Sequence, residues 1–194
     1  MDLTYRASPR ASAHCVSRSG RKRAGLAVFA LIALGMAAPS QAQTPPPPIK
    51  AESVAAAPHI EGKTVEGKPF RLSSLKGKVV LLLYWSTDCA VCRDKMPELR
   101  NNYEGWASKP FEMVAISTDR RMQDVVEYER IIARTVPTRQ RFVQLWMGES
   151  SYSDNLGNHA QLPAAYLIDK SGKIVERYVG RIPPEAWDRI ADLL

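Results

Sequence analysis

Val79-Val80-Leu81-Leu82-Leu83-Tyr84-Trp85, then Ser86-Thr87-Asp88, then Cys89-Ala90-Val91-Cys92, is the stretch whose reading decides the fold. Seven consecutive apolar residues suit a strand buried on both faces, as in a parallel sheet with a layer on each side. Downstream, Met96, Leu99, Tyr103 and Trp106 recur at steps of three and four across residues 91–107, the spacing of an amphipathic helix. Pro97 is expected to kink that helix. The two cysteines therefore stand between the end of a buried strand and the first turn of a helix. A sulfur at a helix N-terminus faces unpaired backbone N–H groups and the positive end of the helix dipole, both of which favour the thiolate. Cys89 is accordingly read as the attacking thiol. Cys92, three residues on and one turn deeper, is read as the thiol that resolves the mixed disulfide.

Working outward, residues 111–118 (FEMVAIST) read as a second strand and residues 122–135 (MQDVVEYERIIART) as a second helix, with Val125, Val126, Ile131 and Ile132 as its apolar residues. Strand and helix alternate, which favours a parallel core. Residues 141–146 suit a further strand, and the polar stretch 148–161 carries no periodic signal. Residues 164–168 and 174–179, joined by Asp169-Lys170-Ser171-Gly172-Lys173, read as a hairpin. Residues 184–194 read as a closing helix with Pro184 at its start. Upstream of the decisive strand, Gly62, Gly67 and Pro69 punctuate short β-like pieces, and Ser73-Ser74 suits a turn.

The N-terminus has a different character. Basic residues from Arg18 to Arg23, an apolar stretch over 24–38, and the small-residue site Ser40-Gln41-Ala42 make a secretory signal over residues 1–42, with cleavage expected after Ala42. An apolar stretch of 15 residues is short of the ~20 that span a bilayer. Membrane association is expected only if the segment stays uncleaved. Four consecutive prolines, Pro45 to Pro48, and an alanine-rich run open a linker over 43–58, leaving 59–194 as the folded domain.

This division explains the charge. The net formal charge of +7 includes Arg6, Arg10, Arg18, Arg21, Lys22 and Arg23 against Asp2 alone in residues 1–42, so the remainder is close to neutral and no nucleic-acid partner is implied. Composition, at 45% hydrophobic and 24% charged, is that of an ordinary globular chain. Removal of the signal also removes Cys15, which leaves Cys89 and Cys92 as a pair in an oxidising compartment. A structural staple is a poor account of them, since so short a loop gives only about 2 kcal/mol in the chain-entropy model. Zinc is a poor account too, because His59 and His159 stand at no recognised zinc spacing from the cysteines.

The runs Lys76-Gly77-Lys78-Val79-Val80, Tyr84 to Arg93, and Met96-Pro97-Glu98-Leu99 resemble the periplasmic thioredoxin-like reductases of the TlpA/ResA type, and Leu162-Pro163-Ala164-Ala165-Tyr166-Leu167-Ile168 with Asp169 to Lys173 resembles that family's cis-proline strand and following hairpin. The resemblance spans about residues 59–194. It implies a thioredoxin-like three-layer α/β/α sandwich around a central mixed sheet. It further implies an exported thiol:disulfide oxidoreductase whose only redox group is the Cys89–Cys92 disulfide, with no separate cofactor or metal. Pro163, in a cis peptide bond against the cysteines, is the substrate-binding position the resemblance implies; Leu162 before it is a further apolar candidate, and Trp85 reads either as a substrate contact or as core packing, since its side of the sheet is not readable from sequence. Exported cysteine-containing proteins are the implied partners and a membrane reductase the implied electron source, in cytochrome c biogenesis or copper-site assembly.

Three departures from the family's pattern bear on the chemistry. Ala90-Val91 lies between the cysteines where a proline is common; with no His or Lys there to stabilise a thiolate, a reductant is favoured over a strong oxidant. Asp88 beside Cys89 works against the helix terminus, because a nearby negative charge raises a thiol pKa. Leu83 stands where thioredoxin has a buried Asp, and Lys95 where the ResA type has an acidic residue. No buried proton acceptor is evident, and Asp94 and Glu98 read as solvated helix charges. The rival reading is a copper chaperone holding the metal on Cys89, Cys92 and His159, since thiolates with an imidazole suit copper. A peroxidase is set aside because Leu82 and Ser86 stand where that reaction's Pro and Thr are required.

Overall fold

The computed structural model describes residues 57–194. The signal segment expected over 1–42 and most of the linker expected over 43–58 lie outside the described residues. The chain order is β1 (Ile60–Lys63), β2 (Pro69–Arg71), a 3-10 turn (Leu72–Leu75), β3 (Val79–Trp85), α1 (Ala90–Gly105), β4 (Phe111–Ser117), α2 (Met122–Thr135), β5 (Val143–Trp146), β6 (Ser153–Asp154), β7 (Ala164–Ile168), β8 (Ile174–Val179) and α3 (Glu185–Leu193).

β3 is the middle of a five-stranded sheet of order β5-β4-β3-β7-β8. It pairs parallel with β4, Val79 opposite Phe111 through Trp85 opposite Ser117, and antiparallel with β7, Val80 opposite Ile168 through Tyr84 opposite Ala164. β5 is parallel to β4, whereas β7 and β8 form the antiparallel hairpin, so the sheet is mixed and only its β5-β4-β3 half is the parallel core that alternation implied. All seven residues of β3 are buried, and the strand's two-residue period divides them between two cores. Val79, Leu81, Leu83 and Trp85 belong to one hydrophobic cluster, and Val80, Leu82 and Tyr84 to the other.

The two outer layers differ. Right-handed crossovers that step from β3 to β4 to β5 in one direction must put both connecting helices on one face. Cys92, Met96 and Leu99 of α1, Val125 of α2, and Ala186 and Ile190 of α3 accordingly share the first cluster. The opposite face, where the sandwich was expected to carry helix, is covered by Ile60, Phe70 and Leu72 from a small sheet of order β2-β1-β6 and the 3-10 turn. The fold is thus thioredoxin-like α/β, with a small sheet as one outer layer. β6 lies in the stretch 148–161 that had no periodic signal; two residues pairing with β1 make too short a strand to leave one. Of the apolar residues of α2, Val125 and Ile132 are buried and Ile131 is exposed. α1 runs without a break through Pro97. No helix among the described residues is long and apolar enough to cross a membrane.

Candidate active site

The parallel register carries the chain off the end of β3 into Ser86-Thr87-Asp88, and a set of hydrogen bonds fixes that turn. The Thr87 backbone N–H and hydroxyl both donate to the Asp119 carboxylate, at 2.9 and 2.7 Å to Oδ1. Ser117 donates its hydroxyl to Asp119 Oδ2 at 2.6 Å, and Arg93 reaches back to the Thr87 carbonyl at 3.1 Å. Asp119 thus ties the end of β4 to the turn that presents Cys89. Its position, two residues past a strand that neighbours β3, had no motif to mark it, and the sequence reading missed it.

Cys89 is the N-cap of α1 and is joined to Cys92 in a disulfide with the Cα atoms 5.2 Å apart. The backbone N–H of Cys92 donates to Cys89 Sγ at 3.1 Å. The expected placement of a sulfur over unpaired helix amides is therefore realised at Cys89, where such donors favour the thiolate once the disulfide is reduced. Exposure separates the two sulfurs. Cys89 is half-buried and Cys92 only 1% exposed, so a partner can reach the first and not the second.

The Leu162-Pro163 peptide bond is cis. The register that sets Tyr84 opposite Ala164 brings Pro163 to the same end of the sheet as Trp85, and Gly180 N–H donates to the Pro163 carbonyl at 2.8 Å. Val179 pairs with Ala164 there and is 39% exposed, and Val91, between the cysteines, is 42% exposed. Leu162 is partly buried.

Of the two readings of Trp85, substrate contact and core packing, the structure supports the second. It is fully buried, packs against Tyr128 with ring centroids 4.7 Å apart, and donates its indole N–H to Gln144 Oε1 at 3.2 Å. Being the odd-numbered end of β3, its side chain faces the helix layer, where nothing from outside touches it.

His159 requires a correction. It stacks on Tyr84, ring centroids 3.5 Å apart, and Tyr84 belongs to the cluster on the face away from Cys92. The copper chaperone reading thereby loses its third ligand. Among the described residues no three His, Cys, Asp or Glu side chains converge as a metal site. Both ring nitrogens of His159 are buried without a hydrogen-bond partner, and burial holds its pKa below the ordinary histidine value.

The acidic charges of α1, Asp94 and Glu98, keep 64% and 44% of their side chains exposed, as expected of solvated helix charges, whereas the basic Lys95 is buried. Asp94 is exposed and pairs with Arg181, as a solvated charge should. Glu98, however, accepts from Lys95 Nζ at 2.7 Å and from the Trp187 indole at 2.6 Å. Burial opposes its charge, but those donors outweigh it and hold the carboxyl below the ordinary range. Lys95 is itself buried, and so is Arg100, which donates to the Gln140 carbonyl at 3.2 Å.

An accessible cysteine at a helix N-terminus, joined to a buried one a turn deeper on a thioredoxin-like fold, defines a thiol:disulfide oxidoreductase that works by dithiol–disulfide exchange. The chain belongs to the AhpC/TSA family, whose model matches residues 54–178. It is 31% identical to the thiol-disulfide oxidoreductase ResA of Bacillus cereus over 64% of this chain and 68% of that one. It is 26% identical to the thioredoxin-like protein YneN of Bacillus subtilis over 71% and 77% of the two chains. The crystal structure of a thioredoxin-family thiol:disulfide interchange protein from Chlorobium tepidum superposes with a TM-score of 0.54 at 24% identity, covering 77% of this chain and 97% of that one, a likeness of fold.

Proposed function

We propose that the protein is an exported reductant of disulfides in partner proteins, with Cys89 as nucleophile and Cys92 as resolving thiol. One observation carries this assignment of roles: Cys89 is reachable and receives a backbone N–H at its sulfur, while Cys92 is buried. In the reduced protein the Cys89 thiolate attacks one sulfur of a partner disulfide, the partner's S–S bond breaks, and its other sulfur leaves as a thiolate that takes up a proton. The Cys92 thiolate then attacks Cys89 Sγ in the mixed disulfide, forming the Cys89–Cys92 bond and releasing the second partner thiolate, which is protonated in turn. The partner gains two electrons and the protein loses two. A membrane reductase upstream returns them.

Leu162, Pro163, Val91 and Val179 make the surface against which a partner segment lies. Their support is position, since all four stand at the end of the sheet that carries Cys89, and two of them are exposed apolar side chains. The partners are exported cysteine-containing proteins, and maturation of cytochrome c or of a copper site is the role the TlpA/ResA resemblance favours. The periplasmic location rests on the signal-like residues 1–42.

The reduction potential of the Cys89/Cys92 pair tests the direction. Equilibration in glutathione or dithiothreitol buffers with thiol trapping gives a value near the −270 mV of thioredoxin for a reductant, while a value near −120 mV makes the protein a disulfide donor and overturns the assignment.

A further inference from the structure

A buried side-chain chain runs from the redox site to an acid on α2. Trp85 ends the strand that leads into Cys89, and its side chain shares a hydrophobic cluster with Cys92, against which Cys89 also packs. The indole N–H donates to Gln144 Oε1 at 3.2 Å, and Gln144 Nε2 donates to Glu129 Oε1 at 3.1 Å. Gln144, on β5, is 1% exposed; its backbone carbonyl accepts from Val65 N–H at 2.8 Å, and its side-chain amide is held at both ends, by Trp85 at the oxygen and Glu129 at the nitrogen. An indole offers a donor only, which fixes the amide with its oxygen toward Trp85 and its nitrogen toward Glu129.

We propose that Gln144 and Glu129 are positioning residues for dithiol–disulfide exchange, with Gln144 holding the Trp85 indole at the end of the strand that leads into Cys89 and the charge on Glu129 setting how firmly it is held. An ionised carboxylate strengthens the N–H···O bond it accepts and, by polarising the amide, makes the amide oxygen a better acceptor at its other end. Protonation of Glu129 therefore loosens the grip on Trp85, the residue from which the Ser86-Thr87-Asp88 turn departs. Three charged groups face Glu129 from the neighbouring elements: Arg100 on α1, Arg141 ahead of β5, and Glu66 in the turn between β1 and β2. Burial raises the Glu129 pKa, the Gln144 hydrogen bond and the two arginines oppose that rise, and Glu66 adds to it. The net direction is upward, so Glu129 takes up its proton at a higher pH than an ordinary glutamate.

The test uses the full chain, reduced and isotope-labelled, with the Trp85 indole N–H resonance followed against pH. It is expected to titrate with a midpoint above 4.5, the ordinary glutamate value. The isosteric Glu129→Gln, which keeps an acceptor for Gln144, should abolish that titration, whereas Glu66→Gln should only move its midpoint. Reduction of a small model disulfide should show the same midpoint in the wild type and lose it in Glu129→Gln. Gln144→Leu should slow it about fivefold, the scale of losing one neutral hydrogen bond. A Trp85 resonance that does not titrate, or one that titrates unchanged in Glu129→Gln, overturns the proposal. So does a titrating resonance with no counterpart in the exchange rate.

Discussion

The backbone N–H of Cys92 points at the sulfur of Cys89 from 3.1 Å, while the Cys92 sulfur itself is sealed beneath the first turn of α1. Two different phenotypes follow for two conservative substitutions. Cys89→Ser should abolish reduction of any disulfide, because no accessible sulfur remains. Cys92→Ser should still attack but fail to resolve, accumulating a mixed disulfide between Cys89 and the partner that non-reducing electrophoresis detects. Equal accumulation in both variants would show that the roles are not divided.

The turn ahead of Cys89 depends on Asp119, whose carboxylate accepts from Thr87 twice and from Ser117 once. Asp119→Ala leaves those donors without their partner, a loss of about 1–3 kcal/mol for buried groups. The expected outcome is a lower thermal midpoint together with slower exchange, measured by calorimetry and by turnover of a small disulfide. Asp119→Asn, which keeps one acceptor oxygen, should recover part of both.

Much of this arrangement is legible in the sequence and some of it is not, for reasons particular to each residue. The buried strand, the cysteine pair at the start of α1, the α2 boundaries and the hairpin of residues 164–179 announce themselves because periodicity and turn residues are local signals. Trp85 does not disclose which face of the sheet it joins, since in a strand buried on both sides odd and even positions are equally apolar. Sequence also leaves open which layer covers the second face. That depends on β6, a two-residue strand pairing with β1 from more than ninety positions away. Asp119 and Gln144 act through partners 32 and 59 residues distant, so neither sits in a motif. His159 reads as a loop-surface residue in a polar stretch until Tyr84 is seen beneath it.

The exposed apolar residues at the cysteine end of the sheet give a prediction that separates partner contact from chemistry. Val179 is 39% exposed at the end of the edge strand β8, so Val179→Asp should cost on the order of 1 kcal/mol of stability, the span of strand propensities, and leave the fold intact. Exchange with dithiothreitol should be unchanged, since that reagent needs only Cys89. Reduction of a folded or unfolded protein disulfide should instead show a raised KM. A KM that does not move removes Val179 from the partner surface.

His159 provides a stability effect with a defined direction in pH. Burial against Tyr84 and Tyr166 lowers its pKa from the ordinary 6.5, with Asp154 favouring the charged ring and Arg177 disfavouring it. As pH falls through that value the unfolded chain takes up a proton at this ring while the folded chain does not, so folding becomes less favourable. Well above pH 6.5, as at pH 8, both states are neutral and the cost vanishes. His159→Phe keeps a flat ring for Tyr84 and removes two buried nitrogens that lack hydrogen-bond partners. The variant should therefore be at least as stable as the wild type at pH 8, and its advantage should widen as pH drops below 6.5. Carboxylates such as Glu98, held below the ordinary range, lose their contribution only at more acidic pH and do so equally in both proteins. Urea unfolding of the two proteins at pH 8, 6 and 5 measures the difference directly, and a gap that stays constant across that range would place the His159 ring in solvent rather than against Tyr84.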